Sequence, residues 1–302
     1  MLDRFKEYDS SKCWQRHMRE SNLAQDIEES GLSLEEISSL TPSDFTFSVC
    51  TDTGPLIAFI KRHEWLGTIA QYTTHWFASY YKDILTGVIL MGIPVTFSKL
   101  LGDDTRKIER LINRGACISW SPINLGSFMI MKSIRWMVQN THYRLFTAYS
   151  DPHAGELGTI YQACNFYYLG QKAGAQKRYV NPYTGELVSD RYFRCKSAYK
   201  RYAKELGIEW QKDWLVGVSV NWKAIPDGVE AKLREVSREK QRNADYVNFT
   251  QKHKYAYVLG ASKKETKSLR HEFEKRNKIY PYPKERGLLI SADTPVRDKS
   301  AG

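Results

Sequence analysis

Apolar and polar positions alternate along some stretches of this chain and recur at three- and four-residue spacing along others, so strands and helices should interleave. Trp76-Phe-Ala-Ser-Tyr-Tyr81 reads as a strand and Leu85-Thr-Gly-Val-Ile-Leu-Met-Gly-Ile93 as its partner. The link between them, Tyr81-Lys-Asp-Ile84, is short enough for a hairpin. Residues 108–113 predict a further strand, followed by irregular chain over 114–125. Phe128, Met131, Ile134 and Val138 then share one helical face, which predicts a helix over 126–140. Residues 144–149 form the next strand, and Ser150-Asp-Pro152 ends it. The strand–loop–helix–strand portion has the spacing of a βαβ crossover, and an amphipathic segment over 157–169 follows.

The flanks differ in character. Residues 1–55 read as a helical appendage, in which Ser33-Leu-Glu-Glu36 is a capping box and Thr41-Pro42 stops the helix it starts. The stretch 62–70 opens the globular part as a short helix or loop. Beyond Gly170, residues 179–188 carry a Pro/Gly turn between short extended pieces, 193–206 predict a basic helix ending at Gly207, and 214–222 alternate like a strand. Ser262-Lys-Lys-Glu265 is a second capping box. It opens a helix carrying Lys263, Lys264, Lys267, Arg270, Lys275, Arg276 and Lys278, with few apolar spots (Leu269, Phe273, Ile279). Such a helix should lie on the body and turn its cations to a ligand. The last dozen residues read as a loose tail. The expected organisation is an appendage (1–55), a catalytic core (56–172) and a basic nucleic-acid-binding extension (173–302).

Charge sharpens this division. The chain has 302 residues with 45 Lys and Arg against 34 Asp and Glu. From Lys172 onward the count is 29 basic to 16 acidic, and before it 16 to 18. A near-neutral body joined to a cationic half suits a polyanion ligand, because each cation placed on a phosphate releases counterions. Interleaved Tyr and Trp residues add surfaces that stack on bases. No apolar run is long enough for a bilayer, and the charged start Met1-Leu-Asp-Arg-Phe-Lys is unlike a secretory signal. The cytoplasm, that of a host cell if the gene is a phage's, is therefore the expected compartment. Five scattered cysteines show no C-x-x-C spacing and read as reduced core residues. The dispersed histidines suggest no metal site.

Two segments bear candidate chemistry. In the crossover unit, Ser121-Pro-Ile-Asn-Leu-Gly-Ser127 leads from a strand into the first turn of a helix. There, free N–H groups and the positive end of the helix dipole suit an anion, and Gly126 permits close approach. Taken alone, an ordinary cap at Asn124 or Ser127 is the simpler reading. Asp151 falls directly after a buried strand, at the edge where α/β proteins place reacting groups, although Asp-Pro by itself more often makes a turn.

Taken together, Ile108-Glu-Arg-Leu111, Ser121-Pro-Ile-Asn-Leu-Gly-Ser127 and Tyr149-Ser-Asp-Pro152 with Gly158-Thr-Ile-Tyr-Gln-Ala-Cys-Asn-Phe166 resemble the Mom family of bacteriophage DNA-modification proteins. Residues 60–172 carry most of the likeness, and Tyr280-Pro-Tyr-Pro-Lys284 is similar to the family's C-terminal stretch. The resemblance implies an N-acetyltransferase-like (GNAT) α/β fold, a mixed sheet with a crossover helix, here with a basic mixed α/β C-terminal extension. It also implies conversion of the exocyclic amine of adenine in DNA to a carbamoylmethyl derivative, which protects the DNA from restriction. Carried over by position, Arg110, Ser127, Asp151 and Tyr161 are its functional residues, with His63 and Asn165 behind them.

Ser121, Asn124, Leu125, Gly126 and Ser127 would hold the donor, for which acetyl-coenzyme A and glycyl-tRNA both suit a phosphate-binding loop. That loop is shorter here than the superfamily's glycine-rich one. Iron has an association with the family, but no ligand cluster in this sequence places it. Double-stranded DNA and an acyl-donor carrier are the expected partners, and no membrane. Two rival readings are an N-acetyltransferase acting on a small-molecule or protein amine, and a DNA-binding protein that has lost catalysis.

Overall fold

In a computed structural model, residues 11–173, 177–217, 219–248 and 250–284 are described. The expected terminal tail and residues 1–10 lie outside them. The described residues fall into two compact units: 11–173 with 252–284, and those between 177 and 251.

The first unit is built on one seven-stranded sheet. Helix α1 (Trp14–Ser30) and the short α2 (Leu34–Ser39) lead into β1 (Thr46–Val49) and α3 (Gly54–His63). The hairpin β2 (Thr73–Tyr81) and β3 (Ile84–Gly92), strand β4 (Glu109–Cys117), helix α4 (Leu125–Asn140), strand β5 (Leu145–Ser150), the short helix α5 (Thr159–Ala163) and β6 (Tyr167–Ala173) follow. The chain re-enters this unit as β12 (Lys252–Val258) and α8 (Lys263–Arg276). The strand order is β1-β2-β3-β4-β5-β12-β6. Every neighbouring pair is antiparallel except β4 and β5.

Val88, Ile89, Leu90 and Met91 are consecutive in β3 and all buried. Successive side chains in a strand point to opposite faces, so both faces of the sheet centre are covered. Helix α4 meets the sheet through Met129, Ile130, Ser133, Ile134, Met137 and Val138. Phe128 and Met131, expected on that face, are only half-buried: the true stripe is rotated about the axis because it must meet β3. Residues 157–169 are not one amphipathic segment. Asn165 (φ 58°) breaks them between α5 and β6. Strand β4 runs on to Cys117, through the chain expected to be irregular.

The proposed appendage is part of the body. Strand β1 pairs with β2, and Phe45 just before it enters the core. Polar groups on α1 tie it down as well. Buried Asp26 accepts hydrogen bonds from the Ser119 N–H (3.1 Å) and the Ser119 hydroxyl, and pairs with Arg62 (2.6 Å). Likewise 252–284 do not belong to an extension, because β12 fills the sheet between β5 and β6 and Phe273 of α8 is fully buried.

The second unit, 174–251, is a small mixed α/β structure. It holds β7 (Lys177–Val180) and β8 (Leu187–Val188), which form a sheet with β11 (Tyr246–Asn248) in the order β11-β7-β8, and helices α6 (Lys196–Glu205) and α7 (Asp227–Arg242). Tyr199, Tyr202, Trp214, Ile225 and Leu233 make its core. The strand expected over 214–222 is instead a two-residue hairpin, β9 (Leu215–Val216) and β10 (Ser219–Val220). Gly217 at φ 56° folds the alternating run back on itself.

Candidate active site

The site grows out of one break in the sheet. Strands β4 and β5 pair only from Glu109 to Leu111 against Leu145 to Thr147, yet β4 continues to Cys117 and β5 to Ser150. Beyond Leu111 they part. The gap opens into a cavity of about 460 Å³, within the range of small-molecule sites.

Its walls come from distant parts of the chain. Leu111 to Cys117 of β4 form one side, Tyr149, Ser150 and Asp151 the other. Ile123, Gly126 and Ile130 mark the entry and first turns of α4, and Thr159, Ile160 and Tyr161 are from α5. Cys13, Gln15 and Arg19 of the N-terminal segment, Glu64 and Trp65 after α3, and Lys252 of β12 complete it. Arg19 also donates to the Ser119 (2.8 Å) and Ser121 (2.9 Å) carbonyls and so pins the loop that enters α4. Gly158 (φ 69°) lines the cavity too, and a Cβ there would collide with the Tyr255 ring.

Three carboxylates share this space. Asp151 pairs with Lys252 Nζ at 2.9 Å and accepts from the His153 N–H at 3.0 Å, capping the turn that Pro152 begins. Gly155 (φ 68°) reverses the chain, so the Glu156 N–H donates to the Asp151 carbonyl and the Asp151 N–H donates to Glu156 Oε2, both at 3.1 Å. The indole N–H of Trp65 donates to Glu156 Oε1 at 2.9 Å.

Glu156 faces the cavity but is surrounded by protein, and desolvation pushes its carboxyl up to about 7; the Asp151 and Glu64 charges add to this, while its two N–H donors oppose it. Burial also raises the Glu64 carboxyl, against the pull of Arg114 (3.9 Å) and the Gly67 N–H (2.7 Å). The Tyr149 phenol is pushed up to about 12 and the Cys117 thiol to about 11, in each case by burial. Tyr161 shifts the same way, with its ring 5.4 Å from those of Phe166 and Tyr255.

The residues expected from sequence scatter. Asp151, Tyr161 and Gly126 line the cavity. Ser127 is in the first turn of α4, outside the lining, and its hydroxyl donates back to the Asn124 carbonyl (3.0 Å). Asn124 caps the helix by position but makes no side-chain cap, and neither it nor Ser127 forms the ordinary N-cap. Leu125 is wholly in the core. The Ser121 hydroxyl donates to Ile118 O (2.8 Å), which closes the loop rather than facing a ligand.

Arg110 lies away from the cavity. It stacks 3.6 Å from the Tyr143 ring, bonds the Tyr143 hydroxyl and donates to Glu109 O. His63 is buried against Phe59, 3.5 Å from Asp26, where desolvation lowers its imidazole pKa. Exposed Asn165 serves the turn after α5.

Along α8, Lys263, Lys264, Lys267, Lys275 and Arg276 are exposed, as is Lys278 just past its end. Arg270 instead turns inward and donates to Val258 O (3.2 Å). The N-terminus of α8 is as expected: Ser262 Oγ accepts from the Glu265 N–H (3.1 Å). Among the described residues no cluster of His, Cys, Asp or Glu could hold a metal ion, and no helix is long and apolar enough to cross a membrane. All five cysteines are free; Cys164 is buried as a whole residue, the other four are partly exposed, and Cys13 and Cys117 line the cavity.

Glu156, Glu64, Trp65 and Lys252 also line the cavity without being among the residues expected from sequence. The signal for Glu156 was present, since Asp151-Pro-His-Ala-Gly-Glu156 places a carboxylate just past a glycine able to turn it back.

A mixed sheet with one parallel pair that parts, a crossover helix entering the gap and acidic groups on the facing wall define an α/β protein of N-acetyltransferase-like (GNAT) fold. The Mom protein family model matches residues 45–284, and the chain belongs to this family. Among solved structures it is similar to a GNAT family acetyltransferase from Elizabethkingia anophelis with acetyl-CoA bound, at 12% identity over 72% of this chain and 99% of that one, TM-score 0.34. It is also similar to an N-acetyltransferase from Staphylococcus aureus Mu50, at 15% identity over 43% of this chain and 88% of that one, TM-score 0.30. No curated protein matches it.

Proposed function

We propose that this protein is a transferase that modifies the exocyclic amine of adenine in DNA, giving the carbamoylmethyl derivative that shields DNA from restriction. The observation that carries the reading is the cavity itself. One 460 Å³ space joins the N-terminal turn of a 16-residue helix, suited to an anionic donor, to a wall bearing Asp151, Lys252 and Tyr161, suited to a polar heterocycle.

The adenine amine is conjugated with its ring and is a weak nucleophile, so the site must align it and remove charge as it reacts. Asp151, held by Lys252 and the turn it caps, orients the amine, and the Tyr161 ring offers a stacking face. A base in duplex DNA reaches such a cavity only by leaving the stack, at a cost of a few kcal/mol. Cations on α8 offset that cost by gripping backbone phosphates. The donor is an activated acyl group on a phosphate-bearing carrier: glycyl-tRNA brings the two carbons and the nitrogen of the carbamoylmethyl group as its carbonyl-linked isomer, which must then rearrange, whereas acetyl-coenzyme A would leave an N-acetylated adenine.

The test is mass spectrometry of nucleosides from DNA of cells expressing the protein. A new adenine derivative is expected. Because glycyl and carbamoylmethyl groups are isomers, fragmentation must distinguish attachment through a carbonyl from attachment through a methylene. Acetylated small-molecule or protein amines with unmodified DNA would instead reveal an ordinary N-acetyltransferase, and neither product a binding protein.

A further inference from the structure

We infer that Glu156 accepts the proton that the substrate amine loses as it is modified, and that Trp65 is the positioning residue that holds Glu156 for this step. The inference rests on the proposed function and assigns the proton within the same site.

Geometry separates the candidate bases. Asp151 is committed twice, to Lys252 at 2.9 Å and to the His153 N–H at 3.0 Å. Glu64 is held by the Gly67 N–H at 2.7 Å beside Arg114. Among the described residues Glu156 has no cationic partner. One N–H donor holds each of its oxygens, the Trp65 indole on Oε1 and the Asp151 amide on Oε2, and each oxygen keeps a further acceptor site for an N–H in the cavity. A carboxyl pushed to about 7 exchanges its proton close to neutral pH, where a base is most effective.

A second observation marks the same wall as a ligand surface. Ser150 lines the cavity, and its buried hydroxyl has no hydrogen-bond partner among the described residues. An adenine edge offers an amine donor beside a ring-nitrogen acceptor. A carboxylate that accepts and a hydroxyl that donates match that pair.

The transfer step balances without a further reagent and gives the acyl adduct, which for a glycyl donor is the isomer of the carbamoylmethyl group. The amine nitrogen forms a bond to the donor's electrophilic carbon, the bond from that carbon to its leaving group breaks and the pair departs with the leaving group. One amine proton passes to Glu156, which returns it to the leaving group or to water. Trp65 acts through Glu156: its N–H stabilises the ionised carboxylate, and its ring packs edge-on against Trp14 at 5.0 Å, while its own N–H group on the main chain donates to Gln15 (3.1 Å).

The experiment has two arms. In the first, purified full-length protein is titrated by infrared difference spectroscopy. A protonated-carboxyl band disappearing near pH 7, absent in Glu156→Gln and shifted to higher pH in Trp65→Phe, is expected. No carboxyl titrating in that region, or one that survives Glu156→Gln, overturns the inference without use of activity.

In the second, plasmid DNA is incubated in extracts of expressing cells, which supply the donor, between pH 5.5 and 9, and its nucleosides are analysed. Glu156→Gln should lower modification by 10²-fold or more, with the protein still folded by circular dichroism. Trp65→Phe should retain activity with its acidic limb moved upward in pH. Full activity and an unchanged pH profile in Glu156→Gln would sink the inference while leaving the proposed function intact. Absence of modified adenine with the unaltered protein would sink the proposed function itself.

Discussion

Inside the cavity, charged groups are few, half-hidden and paired across segments far apart in sequence. Along α8 and just past its end, six cations stand in solvent, with local partners at most, such as Glu272 beside Arg276. The same residue types therefore do different work. In the cavity, low dielectric magnifies each interaction and shifts protonation, as Glu156 and Glu64 show. On α8 each cation is screened and of small individual effect, and only their number gives a field that a polyanion senses. Chemistry needs the first setting, and capture of a long charged ligand the second.

This comparison can be broken from its strongest side. Asp26 ties α1 to α3 and to the loop before α4, so Asp26→Ala should leave Arg62 and Ser119 without their buried partner. It should cost about 3–5 kcal/mol, read by denaturant unfolding. A loss below about 1 kcal/mol would show that the cavity does not depend on the N-terminal helix.

Next is the pH dependence that Glu156 imposes. Its folded value of about 7 lies above the ordinary carboxylate range, so its contribution to stability is fully present below about pH 4.5 and is lost as pH rises through 7. Relative to Glu156→Gln, the protein should lose up to about 3 kcal/mol over that window, a ceiling because water in the cavity screens the charge. Parallel melting curves for the two proteins from pH 4 to 8 would contradict the burial of this group.

Asp151→Ala frees Lys252 and removes a cap, and it should cut adenine modification by about 10²-fold or more while DNA binding persists. Undiminished modification would remove Asp151 from the site. The smallest effect on stability, under about 0.5 kcal/mol, belongs to joint replacement of Lys263, Lys264 and Lys267 by Gln. Yet that variant should flatten the salt dependence of DNA binding by up to about 3 in the logarithmic slope. An unaltered slope would mean that this helix faces something other than DNA.

Much of the first unit was readable because its elements announce themselves locally. The β2–β3 hairpin, α4, β5 and the Ser262 cap follow from periodicity and capping chemistry that operate within a few residues. The site was only half readable. Of the candidate residues singled out in the sequence, Asp151, Tyr161 and Gly126 line the cavity. Arg110 and His63 bear reactive side chains but are engaged elsewhere, by Tyr143 and by Asp26, and no local rule separates a charged group in a cavity from one that staples two helices.

The alternation of strands and helices around a βαβ unit, the gathering of cations toward the C-terminal half and the place of Asp151 after a buried strand all follow from the order of residues. Long-range packing alone returns β12 between β5 and β6 to bring Lys252 to Asp151, sets α1 against the cavity and brings Glu156 to Trp65 across 91 positions of chain. Periodicity and capping are short-range and leave marks in neighbouring residues. Burial, dielectric and proton affinity depend on which distant segments the fold brings together, and those are set by packing of the whole core.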